Sequence, residues 1–319
     1  MRDYSDEANL HARVYALRSR LFSLKDYIPL ARSQNGTAYG QAENVPYPVQ
    51  AGETIFREQI AGIMPLAEAS EIYSPLFLAF FRQFEALNVK LVLAKAFGLQ
   101  SLGHWYDIGP YAILERKVLQ EAISLNDIRT LLEGSYLEDV FEDSESYEKM
   151  EVRVDLCAAR TLHAASAPFR REAKRDFQAL MGRRMAVTFT ILSLRLKKTY
   201  NWDDGEIMSF IERFPGTPGG RNRSHMAVVG EVLDRQLDYM RASGVQELSI
   251  TDVEYYLEQY FYNWISSMFH RDFHSIYCVP AYLWLLYYQI RNLFKIIEGR
   301  RFGFSSERIL ARIICDRQG

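Results

Sequence analysis

A few short stretches of this sequence carry residue types that could do chemistry. "HRDFH" (His270 to His274) sets two imidazoles four residues apart, on one face of any helix, as a helical zinc site would. With Asp272 between them, the trio could serve a metal-dependent hydrolase. The glutamate of HExxH is missing, and no third ligand stands out, so surface or helix-end histidines are expected. "GTPGGRNRS" (Gly216 to Ser224) has the glycines of a phosphate-cradling loop. It follows a helical pattern rather than a strand and has no Gly-Lys-Ser/Thr, which makes it a connector. "EDSESYE" (Glu142 to Glu148) and "DDGE" (Asp203 to Glu206) could offer carboxylates to calcium or to catalysis. Acids at helix starts, however, are ordinary cap and dipole chemistry. The three cysteines, Cys157, Cys278 and Cys315, form neither a CxxC pair nor a recognisable nucleophile–base pair with a histidine. No catalytic residue, cofactor site or metal site is expected.

One polar pair is left. Arg291-Asn292 interrupts "YYQIRNLFKIIEG" (Tyr287 to Gly299), an otherwise apolar and aromatic helix. It could be a catalytic pair, a nucleic-acid contact, a membrane-edge anchor or a structural lock.

Composition narrows the choice. With 38 basic against 40 acidic residues and a net charge of −2, the chain lacks the basic footprint of a general nucleic-acid binder. The longest apolar run, "IYCVPAYLWLLYY", has 13 residues and contains Pro280. A membrane span needs roughly 20 residues, so this is a buried helix start and no integral span is expected. The polar opening "MRDYSDEANLHAR" does not read as a signal peptide, so a reducing, cytoplasmic compartment is expected. Apolar residues make up 48% of the 319, enough for a substantial core, and 20 Tyr and 19 Phe leave some aromatics for interfaces.

The elements that must position any site are helical. Leu10, Val14, Leu17, Leu21 and Leu24 keep an i, i+3, i+4 stripe through a first helix. A Gly- and Pro-rich loop (33–52) follows, then helices over 53–70, 74–97, 111–124, 126–142, 146–165, 168–199, 204–213, 224–242, 252–270, 280–300 and 306–315. Pro110, Pro168 and Pro280 sit where a first-turn proline is tolerated, and "TDVE" (Thr251 to Glu254) and "DDGE" read as capping boxes. "AVTFTIL" (Ala186 to Leu192) has strand-like composition but lies within a helical stripe, so it is assigned to a helix. The fold class is all-α.

The chain also repeats itself. Asn88, Thr188 and Asn292 head three similar segments, at offsets of 100 and 104. Phe97-Gly98-Leu99, Tyr200-Asn201-Trp202 and Phe302-Gly303-Phe304 then align, at offsets of 103 and 102. Upstream, Glu151, Val154, Asp155, Ala158 and Leu162 fall on Glu254, Leu257, Glu258, Phe261 and Ile265, always 103 apart. Each copy is a long helix, a helix ending in Gly or Asn, and a short capped helix; Gly or Asn is what a left-handed helix terminus demands. The expected domains are three similar helical repeats, 1–105, 106–213 and 214–319. Stacked-repeat scaffolds, the alternative reading, use units of about 20–45 residues, which fits this period poorly. Asparagines recurring at matched helical positions must be hydrogen-bonded if buried, or cost about 1–3 kcal/mol, and so read as structural locks.

"NLHARVYALRSRLFS" (Asn9 to Ser23) resembles the "NARVRALKSRL" opening of the V/A-type ATPase central-stalk subunit called C in prokaryotes and d in eukaryotes. The closing segment resembles that family's E-I-R-N-L motif, with its apolar turn, Gly and short helix. Tyr287 and Gln289 replace the glutamates the family usually carries there, and Thr188 and Asn201 replace Asn and Gly in the middle copy. The resemblance implies three helical domains around a pseudo-threefold axis, forming a funnel. It implies a chain monomeric by itself, with the D- and F-type shaft subunits and the membrane rotor ring as partners. Its place would be peripheral, on the cytoplasmic face, and its role adaptor rather than enzyme.

Overall fold

The computed structural model describes residues 3–32, 49–99, 103–121, 124–141, 146–212, 230–231, 234–235, 238, 249–269 and 277–317. In chain order the helices are α1 (Asp3–Arg18), α2 (Leu24–Arg32), α3 (Val49–Ala61), α4 (Met64–Ala67), α5 (Ser74–Ala96), α6 (Arg116–Glu121) and α7 (Leu125–Leu132). Then come α8 (Tyr147–Ala164), α9 (Arg171–Tyr200), α10 (Asp204–Glu212), α11 (Ile250–Phe269), α12 (Cys278–Arg301) and α13 (Ser306–Leu310). Among the described residues no strand occurs, and the fold is all-α. Ala186–Leu192 lies inside α9. His270, Asp272, His274, the 216–224 connector and most of the helix expected over 224–242 fall outside the described residues.

The chain divides into two compact units, one contiguous (Ile72–Leu257) and one made from both ends (Met1–Glu71 with Glu258–Gly319). The boundaries expected at 105/106 and 213/214 mark periods of sequence, which is a different property from compactness.

In the contiguous unit α5 packs along α8. Apolar side chains lie on most sides of α5, and a helix patterned that way is buried on most sides. Phe77, Phe81, Phe84, Val89 and Leu93 are indeed fully buried. Val89 and Leu93 share one core cluster with Ile128 and Leu132 from α7, Leu137 and Val140 from the turns after it, Val154 and Cys157 from α8, and Leu196 from α9.

In the two-segment unit α12 is the centre, with α1, α2, α3 and α13 against it. Tyr27, Ala31, Ile55, Leu293, Ile296, Ile309, Ile313 and Cys315 form one cluster there. Gly299 allows α13 to come close: a Cβ at that position would lie 2.7 Å from Ile309 Cγ1.

Where element bounds differ from expectation, hydrogen bonds or backbone signs explain it. The stripe through Leu24 is cut after Arg18, because Ser23 N–H and Oγ both donate to Asp26 Oδ2 (2.7 Å each) and start α2. The helix expected over 53–70 is two, with Pro65 in the first turn of α4. Instead of a helix over 111–124 there is a 3₁₀ turn at Gly109–Tyr111, holding Pro110, and then α6. The N–H groups of Ile113 and Leu114 are taken by the Glu85 carboxylate rather than by helical carbonyls. α7 stops at Leu132 because Glu133 turns extended and, with left-handed Gly134 (φ 72°), makes a turn closed by Ser135 N–H on the Leu132 carbonyl (3.1 Å). Pro168 precedes α9 rather than sitting in its first turn. The cap of α11 is Ser249 with Asp252, not Thr251 with Glu254: Asp252 N–H donates to Ser249 Oγ (3.1 Å) and Ser249 N–H to Asp252 Oδ2 (3.2 Å).

Candidate functional site

The polar residues of the long apolar helices are the places where this fold does something other than bury hydrocarbon. On α5, Asn88 is buried, and both ends of its amide are used on one residue. Nδ2 donates to the carbonyl of Tyr106 and Oδ1 accepts from its N–H, each at 2.8 Å. One helical turn earlier, Glu85 is also buried and accepts from the N–H groups of Ile113 (2.7 Å) and Leu114 (2.9 Å). The pair clamps the chain after α5 at two points along the helix. Burial raises the Glu85 carboxyl above its ordinary value, although those N–H bonds pull it down. Beside it, Tyr136 donates to the Arg82 carbonyl (3.1 Å). Burial first, and then the charge of Glu85, hold that phenol well above its usual range.

The same arrangement recurs on α12. Asn292 is buried, donates through Nδ2 to the Ile314 carbonyl (2.7 Å) and accepts at Oδ1 from the Ile314 N–H (3.0 Å). Three residues earlier, buried Gln289 accepts from the Phe22 N–H (2.6 Å) and donates to Gln59 Oε1. The glutamine thus ties α12 to the α1–α2 turn and to α3 without a charge. Arg291 sits off this clamp. Its guanidinium lies 5.9 Å from the Tyr287 ring centroid. The Glu298 carboxyl senses it: burial raises that group, while Arg291 and Arg301 pull it down. Glu85 carries no signal of its own in the sequence, and Gln289 stands out there only as a replacement for a glutamate of the resembled family. The available signal was their identical spacing to the matched asparagines, in "EALN" and "QIRN".

The middle copy has no such clamp among the described residues. Thr188 is half-buried on α9 and stands 13 residues before the left-handed Asn201; Asn292 stands 11 before Gly303 and Asn88 10 before Gly98. Two residues is about 200° around a helix and three about 300°, so counted from that end Thr188 lies across from the place Asn292 takes and about 60° from that of Asn88. Thr190 has the register of Asn292, and its hydroxyl donates to the Ala186 carbonyl of its own helix (2.8 Å). The contiguous unit is instead tied by ion pairs at the repeat-matched acids. Lys90 of α5 reaches Asp155 (2.6 Å) and Glu151 (3.6 Å) on α8, and Arg195 of α9 reaches Glu254 (2.6 Å) on α11.

All three helix ends expected to be left-handed are so. Gly98 has φ 70°, Gly303 φ 71° and Asn201 φ 57°, and Asn201 is the lone non-glycine with positive φ among the described residues. The two glycine ends are Schellman motifs: Leu99 N–H reaches the Ala94 carbonyl (2.9 Å), and Phe304 N–H reaches that of Gly299 (2.8 Å). At the asparagine end Trp202 N–H reaches one residue further back, to Leu196 (3.2 Å). Each end leaves apolar side chains exposed: Leu99 at the first, Tyr200 at the second, Phe302 and Phe304 at the third.

Chemistry-bearing groups do not converge among the described residues. Among the described residues no cluster of His, Cys, Asp and Glu could hold a metal ion. The cysteines are buried, and burial pushes Cys157 and Cys278 to about 12 and Cys315 to about 11, far from thiolate chemistry. Among the described residues no helix is long and apolar enough to cross a membrane. The arrangement defines a class: an all-helical protein whose buried polar groups hold backbone, with repeated helix ends presented outward. A family model described as ATP synthase (C/AC39) subunit matches residues 10–312, nearly the whole chain. The chain therefore belongs to the ATP synthase C/AC39 subunit family, that of the V/A-type ATPase subunits C and d. Comparison with curated proteins finds no match.

Proposed function

We propose that this protein is the non-catalytic central-stalk adaptor of a V/A-type rotary ATPase. It joins the D- and F-type shaft subunits to the membrane rotor ring, on the cytoplasmic face, and so couples ATP hydrolysis or synthesis to H⁺ or Na⁺ transport. The observation that carries this reading is the family match over residues 10–312. The physical character of the chain supports it. Transmitting torque requires stiffness and surfaces to grip, and no chemistry. Long helices whose following segments are clamped by Asn88 and Asn292 supply stiffness. The exposed apolar side chains at the first two matched helix ends, Leu99 and Tyr200, supply grip. The three sequence repeats suit an arrangement around a rotation axis, with 1–105, 106–213 and 214–319 as equivalent domains.

Depletion and add-back test the assignment. Complexes lacking this chain are expected to hydrolyse ATP while failing to acidify vesicles or take up Na⁺, because the catalytic sites lie in other subunits and torque no longer reaches the ring. Adding the purified chain should restore transport with the concentration dependence of a binding equilibrium. Full transport by assembled complexes that lack the chain would refute the coupling role.

A further inference from the structure

Two exposed phenylalanines end α12, and their surroundings indicate what they meet. Phe302 is 55% exposed and Phe304 41%, with ring centroids 6.2 Å apart. Gly303 between them is left-handed, and a Cβ there would meet nothing within 4 Å, so the rings stand beside open space. Arginines accompany both rings. The Arg308 guanidinium lies 4.0 Å from the Phe304 centroid and that of Arg301 5.9 Å from the Phe302 centroid. From Arg300 to Arg312 there are four arginines (300, 301, 308, 312) and one glutamate (307), a local charge of +3 in a chain whose total is −2.

Size decides between partners. A buried phenylalanine covers about 150–250 Å², so two half-exposed rings offer on the order of 200 Å². A standard protein interface takes roughly 800 Å² from each side. The tip is too small for that and well suited to a surface that needs only a few apolar groups beside positive charge. Peripheral membrane contacts are built this way: aromatic rings sit at the headgroup boundary, and arginines meet anionic phosphates.

We propose that the Phe302–Phe304 tip, with Arg301 and Arg308, is a contact for the anionic headgroups of a lipid bilayer. The rings enter the boundary between headgroups and acyl chains while the guanidinium groups lie against lipid phosphates. This goes beyond the rotor assignment and does not depend on it, because the isolated chain suffices for the test.

The full chain is floated with vesicles of phosphatidylcholine alone or mixed with phosphatidylglycerol. Retention is expected on the anionic vesicles only, and it should weaken as salt is added. The double variant Phe302→Ser/Phe304→Ser should lower the apparent affinity roughly tenfold, and Arg301→Gln/Arg308→Gln by a similar factor. A Phe302→Trp chain should shift its difference emission to the blue on anionic vesicles and not on neutral ones. Thermal melts establish that the variants are folded; should either double variant melt early, the Phe302→Trp emission decides alone. Absence of wild-type retention on anionic vesicles overturns the proposal and leaves the tip to an acidic protein surface. Undiminished retention of the serine variant overturns it too, because the lipid then binds elsewhere.

Discussion

A single amide at Asn292 satisfies the N–H and the carbonyl of Ile314, and Leu cannot replace either bond. Asn292→Leu should therefore destabilise the fold by about 2–6 kcal/mol, since each of two unpaired buried groups costs about 1–3 kcal/mol. Asn88→Leu should fall toward the lower end of that range, because the Tyr106 bonds are only partly buried. Urea unfolding checks both. Loss of partner binding with unchanged stability would instead make the asparagines contact residues. Glu85 gives a pH signature. Its carboxyl is raised by burial, so the folded chain binds that proton more tightly than the unfolded one. The contribution is fully present below the ordinary glutamate value of 4.5 and is lost as pH rises through the raised value. Glu85→Gln keeps an oxygen for Ile113 and Leu114 and should flatten part of that decline. Raised Glu298 acts in the same sense and leaves the remainder. The asparagines were legible in the sequence because a polar residue inside an apolar helix stands out. Glu85 was not, because an acid one turn away looks like an ordinary solvated position until burial is known, and Gln289 stood out only as a departure from the family motif, without its partners. The carbonyl and N–H partners carry no sequence signal at all, being backbone.

Helix ends are the best-encoded elements here, and their chemistry is local. A left-handed terminus is set by one residue, so Gly98, Asn201 and Gly303 could be read from alignment alone. No atom lies within 4 Å of a Cβ built on Gly303, so Gly303→Ala should cost only the backbone penalty, about 1–2 kcal/mol. Asn201→Gly should change stability by no more than a few tenths of a kcal/mol, whereas Asn201→Ala should lose about 1 kcal/mol. Thermal denaturation of the three variants measures this directly. Reversal of that order would place the constraint in side-chain contacts. The other boundaries were less legible because distant groups set them. The Ile113 and Leu114 amides lie in a stretch that reads as helix, yet they bond to Glu85, 28 and 29 residues away. Ser249 with Asp252 caps α11, while Glu254, the acid that would pair with Thr251, is bound by Arg195 of α9 (2.6 Å), a distant partner no local pattern reveals.

At the scale of the molecule, period and compactness answer different questions. The period of about a hundred residues records where similar segments begin, and it is visible because matched positions keep their residue types. Compactness depends on which helices bury one another, and here the two chain ends build one unit around α12 while Ile72–Leu257 build the other. No local pattern encodes that pairing, because α1 and α12 are each merely amphipathic or apolar until they meet. The division has a measurable consequence. Asn88 and its partner Tyr106 lie wholly in the contiguous unit; Asn292 and Ile314 lie wholly in the other. Each unit has its own apolar core, and chains with several cores commonly depart from a single all-or-none transition. Asn88→Leu should then speed amide hydrogen exchange within Ile72–Leu257 and leave α1, α2 and α12 near wild-type protection. Asn292→Leu should do the reverse. Hydrogen-exchange mass spectrometry of the two variants beside the wild type reads both effects in one experiment. Equal loss of protection throughout the chain from either substitution would mean that the two units unfold as one, and that stiffness is a property of the whole chain rather than of each clamp.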